Sequence, residues 1–188
     1  MSKAEATRQR LQESALRLFT QHGFDGVTVE EIARDAGVSH MTFFRYFPTK
    51  ESVVLDDPYD PVLARVISTT DGRSTPLQRV AEGIRKAWSE LDEPEASVTR
   101  ARIELAASHP TLRARVWENN RRTEDVVVAR LVADGVTATE ARIAAGAVLG
   151  AITAALFDWA EQDDGGALGD RLARAMDVVT SGNSVVAT

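Results

Sequence analysis

The 188-residue sequence contains no cysteine, so disulfide bonds and thiolate metal sites are excluded. Its three histidines, His22, His40 and His109, are far apart and lack the spacing of metal ligands. The sequence also has no glycine-rich phosphate loop, no nucleophile–base pattern and no Glu-x-x-His pair. These absences argue against an enzyme and against a bound metal or other cofactor.

The sequence also lacks segments that would direct it to a membrane. Residues 1–10 contain no apolar core of a secretory signal. The longest nearly apolar run, 143–157, is shorter than the roughly 18 residues that a membrane-spanning helix needs. We therefore expect a cytoplasmic protein without a membrane partner.

Charge is unevenly distributed along the chain. The net charge is −6, but the first 50 residues carry seven Lys or Arg against six Asp or Glu. Binding of a polyanion depends on the charge of the surface that it contacts. The negative net charge of the chain therefore does not exclude nucleic acid as a partner.

Residues 28–50 form the most informative stretch. Thr28 precedes an apolar helical pattern and is followed three residues later by Glu31, which predicts a capping box. Gly37 is placed where a helix commonly ends with positive φ. Ser39 is a plausible cap for a second helix. Two short helices joined by a glycine-containing turn predict a helix-turn-helix.

The second predicted helix has one apolar face and one face that suits a polyanion. Val38, Phe43 and Phe47 are predicted to be buried. The other side chains are hydroxyls, an imidazole, a guanidinium and aromatic rings, with no carboxylate among them. Such groups bond phosphates and reach base edges in the major groove of DNA. The residues on this face are Ser39, His40, Thr42, Phe44, Arg45 and Tyr46.

The fragments TVEEIA, GVS and TFFRYFPTKE, in this register from Thr28 to Glu51, resemble the tetracycline-repressor (TetR) family of transcriptional regulators. The resemblance covers residues 1–55, the DNA-binding domain of that family. The continuation into VVLDDPYDP more weakly resembles a subgroup that includes mycofactocin-type regulators. Some members of that subgroup sense acyl-CoA-like molecules.

The resemblance implies a role for each matching residue. Thr28 caps the first motif helix near a phosphate, and Ser39, His40 and Thr42 face bases or the adjoining backbone. Tyr46 and Lys50 clamp phosphates. We add Arg45 because of its charge and position. Phe44 departs from the family, which usually has tyrosine there, so a hydroxyl contact to phosphate is missing.

The periodic apolar pattern predicts an all-helical protein in two parts. Residues 1–55 are expected to form a three-helix DNA-binding head, whose first helix spans 5–22. Residues 56–188 are expected to form a helical domain for effector binding and dimerisation. Its first predicted helix begins at Pro61. Five further helices are predicted at about 75–91, 93–108, 111–134, 138–162 and 167–180, and the tail after them is expected to be frayed.

Small residues recur every four positions in the predicted helix 138–162, at Gly146, Gly150 and Ala154. They allow another helix to approach closely. One interpretation is packing inside a single subunit. The other is a homodimer seam formed with the last helix, and the resemblance favours it. The last helix would contribute Leu168, Leu172, Ala175, Met176 and Val179 to this seam.

The middle helices are expected to hold a small-molecule effector. Trp88, Trp117, Phe157 and Trp159 could line an apolar pocket, although ordinary core packing is the better interpretation for each of them taken singly. An arginine-rich region could receive an anionic ligand such as a CoA phosphate, or it could form a solvated face. Its residues are Arg100, Arg102, Arg113, Arg115, Arg121 and Arg122.

We therefore expect a repressor that binds palindromic operator DNA as a homodimer and is released by a small molecule. On this view His40→Ala changes the preferred sequence, whereas Lys50→Ala weakens binding to all sequences alike. A helical adaptor that binds another protein and a helical enzyme acting in the C-terminal pocket are the alternatives.

Overall fold

The computed structural model describes residues 2–56, 74–89, 96–162 and 166–181. Regular structure within these ranges is entirely helical, so the predicted all-helical class is confirmed. The helices are α1 (Lys3–His22), α2 (Val29–Asp35), α3 (His40–Tyr46), α4 (Ser52–Leu55), α5 (Pro76–Ser89), α6 (Ala96–Ser108), α7 (Pro110–Ala133), α8 (Ala138–Glu161) and α9 (Leu168–Thr180).

Most predicted helix boundaries lie within a few residues of the observed ones. The helix predicted to begin at Pro61, the start predicted at residue 93 and the predicted tail lie outside the described residues. The Thr49 side chain accepts a hydrogen bond from the Ser52 backbone N–H at 3.2 Å, and α4 begins at Ser52.

The chain divides into two compact units. The first comprises residues 1–56 and 97–116. Its core is formed by α1 to α4, and it also contains the fully buried side chain of Leu112, from the start of α7. The sequence patterns did not associate 97–116 with the helix-turn-helix. Fully buried members of this core include Leu11, Ile32, Phe43, Phe47 and Val53.

Polar contacts also attach the 97–116 segment to the rest of this unit. Arg102 Nε donates to the Val54 carbonyl at 3.1 Å. The His109 ring lies against Phe24, with centroids 4.7 Å apart, and its Nε2 is 3.2 Å from Asp25 Oδ2. These contacts and Leu112 make the segment a structural part of the unit that contains α2 and α3.

The second unit comprises residues 57–96 and 117–188, of which the described helices α5, α8 and α9 pack against one another. Thr137 caps α8, because its Oγ1 accepts from the Glu140 backbone N–H at 3.3 Å. Gly135 has a φ of +93°, as expected for the residue that ends α7. The core of this unit includes Val80, Ile84, Val127, Leu131, Val148 and Met176.

Of the described helices, α8 is the one that is long and apolar enough to cross a membrane. Its best 18-residue window has a mean hydropathy of 1.7 and is longer than the continuous apolar run at 143–157. The core helix of a soluble protein passes the same test, and α8 packs one face against α5 and α9. Its length and composition are therefore weak evidence for a membrane span.

Arg79 is a buried cation in the second unit. Its guanidinium hydrogen-bonds the carboxylate of Asp134, which Arg130 also reaches at 3.1 Å. The hydrogen bond from Arg79 holds the pKa of Asp134 below its ordinary value. The folded state therefore prefers the ionised carboxylate.

This pairing predicts a pH-dependent contribution to stability. Ionised Asp134 stabilises the fold above the ordinary carboxyl pKa, and the contribution is lost as pH falls through the lowered folded-state pKa. We expect Asp134→Asn to lower Tm at pH 7, and the difference from wild type to shrink below about pH 4. Thermal unfolding of both proteins from pH 7 to pH 3 measures this. A Tm difference independent of pH would contradict the assignment.

Candidate nucleic-acid interface

Helix α3 is held in place by two phenylalanines. Phe43 and Phe47 are completely buried, and their ring centroids are 5.7 Å apart. Val38 packs against the same core, so the predicted buried face of the helix is confirmed. The opposite face of α3 is thereby turned away from the core.

Hydroxyl groups mark the starts of α2 and α3. Thr28 Oγ1 accepts from the Glu31 backbone N–H, while Glu31 Oε2 accepts from the Thr28 N–H at 2.8 Å. These hydrogen bonds hold the pKa of Glu31 below its ordinary value. Ser39 Oγ accepts from the Thr42 N–H at 3.1 Å and lies 2.9 Å from Thr42 Oγ1. Both predicted caps are confirmed, and the two helix starts are well defined.

His40 is exposed and has two neighbours. Its Nε2 lies 3.1 Å from Glu30 Oε1 on α2. Its ring meets the edge of Phe44, with centroids 4.7 Å apart and an interplanar angle of 73°. The imidazole is thus supported on one side by a carboxylate and on another by an aromatic ring.

The end of α3 carries a paired aromatic and guanidinium group. The Arg45 guanidinium carbon lies 5.2 Å from the centre of the Tyr46 ring. Arg45 is exposed, whereas Tyr46 is half-buried against the core. The Tyr46 backbone carbonyl accepts from Arg8 at 3.4 Å. Arg8 therefore binds within the first unit, where it also pairs with Asp56.

Lys50 has partners inside the protein. Its ammonium donates to the carbonyls of Phe24 at 2.9 Å and Val27 at 3.0 Å. It also lies 4.3 Å from the centre of the Phe24 ring, a cation–π distance. The structure thus gives Lys50 a structural role in holding the α1–α2 connection. Its contact with phosphate stays a prediction.

We expect Lys50→Met to destabilise the first unit by about 2 kcal/mol, because two carbonyls lose a charged donor. Chemical unfolding with a probe in the first unit measures this. Lys3→Met, at the exposed start of α1, is a control that removes the same charge. If Lys50→Met is as stable as the control, the ammonium does not hold these carbonyls.

The predicted effector-pocket residues have different environments. Trp117 is 55% exposed, whereas Trp88 and Phe157 are half-buried. Trp159 is fully buried and donates to the Gly166 carbonyl at 2.7 Å, so it belongs to the core.

The small residues of α8 lie on an open face of the chain. A Cβ added at Gly146 or Gly150 would meet no atom of the described residues within 4 Å, and Ile143 beside them is 66% exposed. Within the described part of the chain, no packed neighbour accounts for these glycines. In α9, Leu168, Leu172 and Met176 are buried inside the chain, so the expectation that they form a seam is wrong. Val178 is an exposed apolar residue of α9.

Two residues of the interface were not identified from the sequence. Met41 is 75% exposed on α3, and its position two residues before buried Phe43 could have indicated this. Glu30 approaches His40 from α2. Their pairing depends on the angle between two helices, which periodicity does not specify.

The capped α2–α3 pair, with a polar and aromatic outer face, defines a helix-turn-helix protein. The family comparisons agree: residues 11–56 match the model "Bacterial regulatory proteins, tetR family", and residues 74–184 match "MftR C-terminal domain". The chain belongs to the TetR family of transcriptional regulators.

Individual relatives extend over nearly the whole chain. The mycofactocin biosynthesis transcriptional regulator MftR of Mycobacterium tuberculosis is 28% identical over 186 residues, 96% of this chain and 92% of its own length. FadR of Bacillus subtilis, solved with stearoyl-CoA, is 19% identical, with a TM-score of 0.58 and coverage of 94% and 99%. Thermus thermophilus FadR, a repressor solved with lauroyl-CoA, is 21% identical, with a TM-score of 0.54 and coverage of 96% and 97%. These two likenesses establish the fold.

Proposed function

We propose that this regulator represses transcription by binding palindromic operator DNA in the cytoplasm through α3, as a homodimer that a small molecule releases. The observation that carries the DNA-binding part is the outer face of α3. It presents hydroxyl, imidazole, guanidinium and aromatic groups without a carboxylate on the helix itself. Such a surface can form hydrogen bonds with base edges and phosphates. The proposed regulator therefore acts by binding and not by catalysis.

Within this proposal, some residues contact bases and others contact phosphates. Ser39, His40 and Thr42 stand at the start of α3, where side chains of a recognition helix reach bases. Thr28 stands at the start of α2, where backbone N–H groups favour a phosphate. The remaining contacts are proposed for Phe44, Arg45, Tyr46 and Lys50, the last in addition to its internal hydrogen bonds.

The open face of α8 supports the homodimer. Gly146 and Gly150 have no neighbour within 4 Å of an added Cβ among the described residues, so this stripe is suited to the same stripe of a second copy. Two copies related by a two-fold axis would place two α3 helices on two half-sites. A seven-residue helix that reads a few base pairs gains specificity from this duplication.

An acyl-CoA-like effector is the class we favour. Its support is the likeness to two regulators of this fold that were solved with stearoyl-CoA and lauroyl-CoA. Trp88, Trp117 and Phe157, all in the second unit, remain the proposed pocket residues. The named repressor among these neighbours supports repression as the sign of regulation.

Selection from a random DNA pool tests the proposal. The purified protein should enrich a palindrome, and long-chain acyl-CoA should release it. His40→Ala should alter the preferred base at one position in each half-site and cost about tenfold in discrimination there. Retention without a shared motif, lost by about 0.2 M salt, would leave only phosphate-driven binding and would overturn the proposal.

A further inference from the structure

Glu30 is a carboxylate placed next to the residue that is proposed to read bases. It lies in the first turn of α2, and its Oε1 is 3.1 Å from Nε2 of His40, the first residue of α3. Both side chains are about half-exposed. Glu31, the neighbouring carboxylate, is occupied by the Thr28 cap, whereas Glu30 forms no part of that cap.

The contact constrains the proton on the imidazole. An ionised carboxylate only accepts hydrogen bonds, so the ring nitrogen that faces it must carry the hydrogen. Nε2, which faces Glu30 Oε1 at 3.1 Å, is therefore the nitrogen that carries the hydrogen. The contact with Glu30 does not use Nδ1, so this nitrogen can bind a partner outside the protein. In the neutral imidazole Nδ1 is then a hydrogen-bond acceptor. The edge contact with Phe44 further restricts the ring orientation.

We propose that Glu30 is a specificity-determining residue that acts through His40. By fixing the proton on Nε2, it presents Nδ1 as an acceptor on the reading surface. The amino groups of adenine N6 and cytosine N4 are the major-groove donors that such an acceptor recognises. Glu30 is thus a positioning residue, and this inference rests on the proposed DNA-binding function.

A carboxylate on a DNA-facing surface also has an opposite effect. It repels phosphate and lowers affinity for every sequence. A merely solvated ion pair would therefore produce the same weakening at all sites, with no change in base preference. Preference and affinity must be measured separately.

Three variants make this separation. Glu30→Gln removes the charge but keeps an oxygen that accepts from Nε2. Glu30→Ala removes both charge and acceptor. Glu13→Gln removes an equal charge from an exposed site on α1, where the side chain accepts from Gln9. Selection from the same random pool is carried out with each variant, with wild type and with His40→Ala.

Wild type should prefer adenine or cytosine at the His40 position. Glu30→Ala should relax this preference about tenfold, at the base position that His40→Ala affects, whereas Glu30→Gln should retain it. Both Glu30 variants should bind non-specific DNA about two- to fivefold more tightly. Nitrogen NMR of His40 should show hydrogen on Nε2 in wild type and Glu30→Gln, and a tautomer mixture in Glu30→Ala.

The outcomes distinguish a failure of the Glu30 inference from a failure of the proposed DNA-binding function. If wild type enriches no motif, the proposed function fails. If wild type enriches a palindrome but Glu30→Ala has an identical preference, the Glu30 inference is overturned and the function stands. Equal relaxation in Glu30→Gln and Glu30→Ala would also overturn it, because charge rather than the accepting oxygen would then be responsible. Glu13→Gln should leave the preference unchanged.

Discussion

Replacing Gly150 with arginine is expected to yield a folded monomer whose operator affinity is lower by at least about a hundredfold. Gly150 lies in the small-residue stripe of α8, and a Cβ there meets no atom within 4 Å in the part of the chain that the structure describes. The subunit can therefore accept the side chain without strain. A second α8 that approaches along the same stripe cannot, because close helix packing needs small residues.

The affinity loss follows from losing one of two linked half-sites. When two heads are joined, the second contact is effectively intramolecular and adds a factor of about 10² to 10⁴. The mass measured by sedimentation should fall from twice 20.4 kDa to 20.4 kDa. Helical content and thermal stability should be retained, since arginine is a better helix former than glycine by roughly 0.8 kcal/mol.

Ala129→Arg is the matched control, because Ala129 is an exposed residue of α7 outside the stripe. It should remain dimeric and bind the operator as wild type does. A Gly150→Arg protein that stays dimeric with unchanged affinity would show that the seam lies elsewhere.

Leu112→Ala is expected to destabilise the unit that contains the helix-turn-helix by about 3 kcal/mol. Leu112 is fully buried in the same core as the residues of α1 to α4, although it lies some 60 residues beyond that motif in the sequence. Truncating a buried leucine removes transfer free energy and leaves a cavity, which together cost about 2 to 5 kcal/mol. Hydrogen exchange of the α1–α3 amides should accelerate accordingly.

Val126→Ala on the same helix is the control, since Val126 is half-exposed and should change stability by less than about 0.5 kcal/mol. If α1–α3 exchange is unchanged in Leu112→Ala, residues 97–116 are not part of the stabilising core. The same result would indicate that residues 1–55 are stable without residues 97–116.

The local features of the head were predictable from the sequence because they depend on short spacings. The Thr28 and Ser39 caps each use a hydrogen bond between residues three apart. Phe43 and Phe47 are four apart and fall on one side of α3. Helical periodicity captures such relationships directly.

Features that depend on distant residues were not predictable in this way. Leu112 enters the head's core across a large sequence separation, and Lys50 finds its carbonyl acceptors 23 and 26 residues earlier. Neither pairing has a periodic signal. The buried side of α9 was also misassigned, because an apolar stripe indicates that a face is covered but not by which chain.

A hydroxyl-radical footprint on the enriched operator tests the central claim most directly. A homodimer that reads DNA through α3 predicts two protected patches related by two-fold symmetry, about one helical turn or a multiple of it apart. The Gly150→Arg protein should give no stable footprint at the same concentration. One unpaired patch from wild-type protein, or uniform protection that ignores the palindrome, would contradict the account.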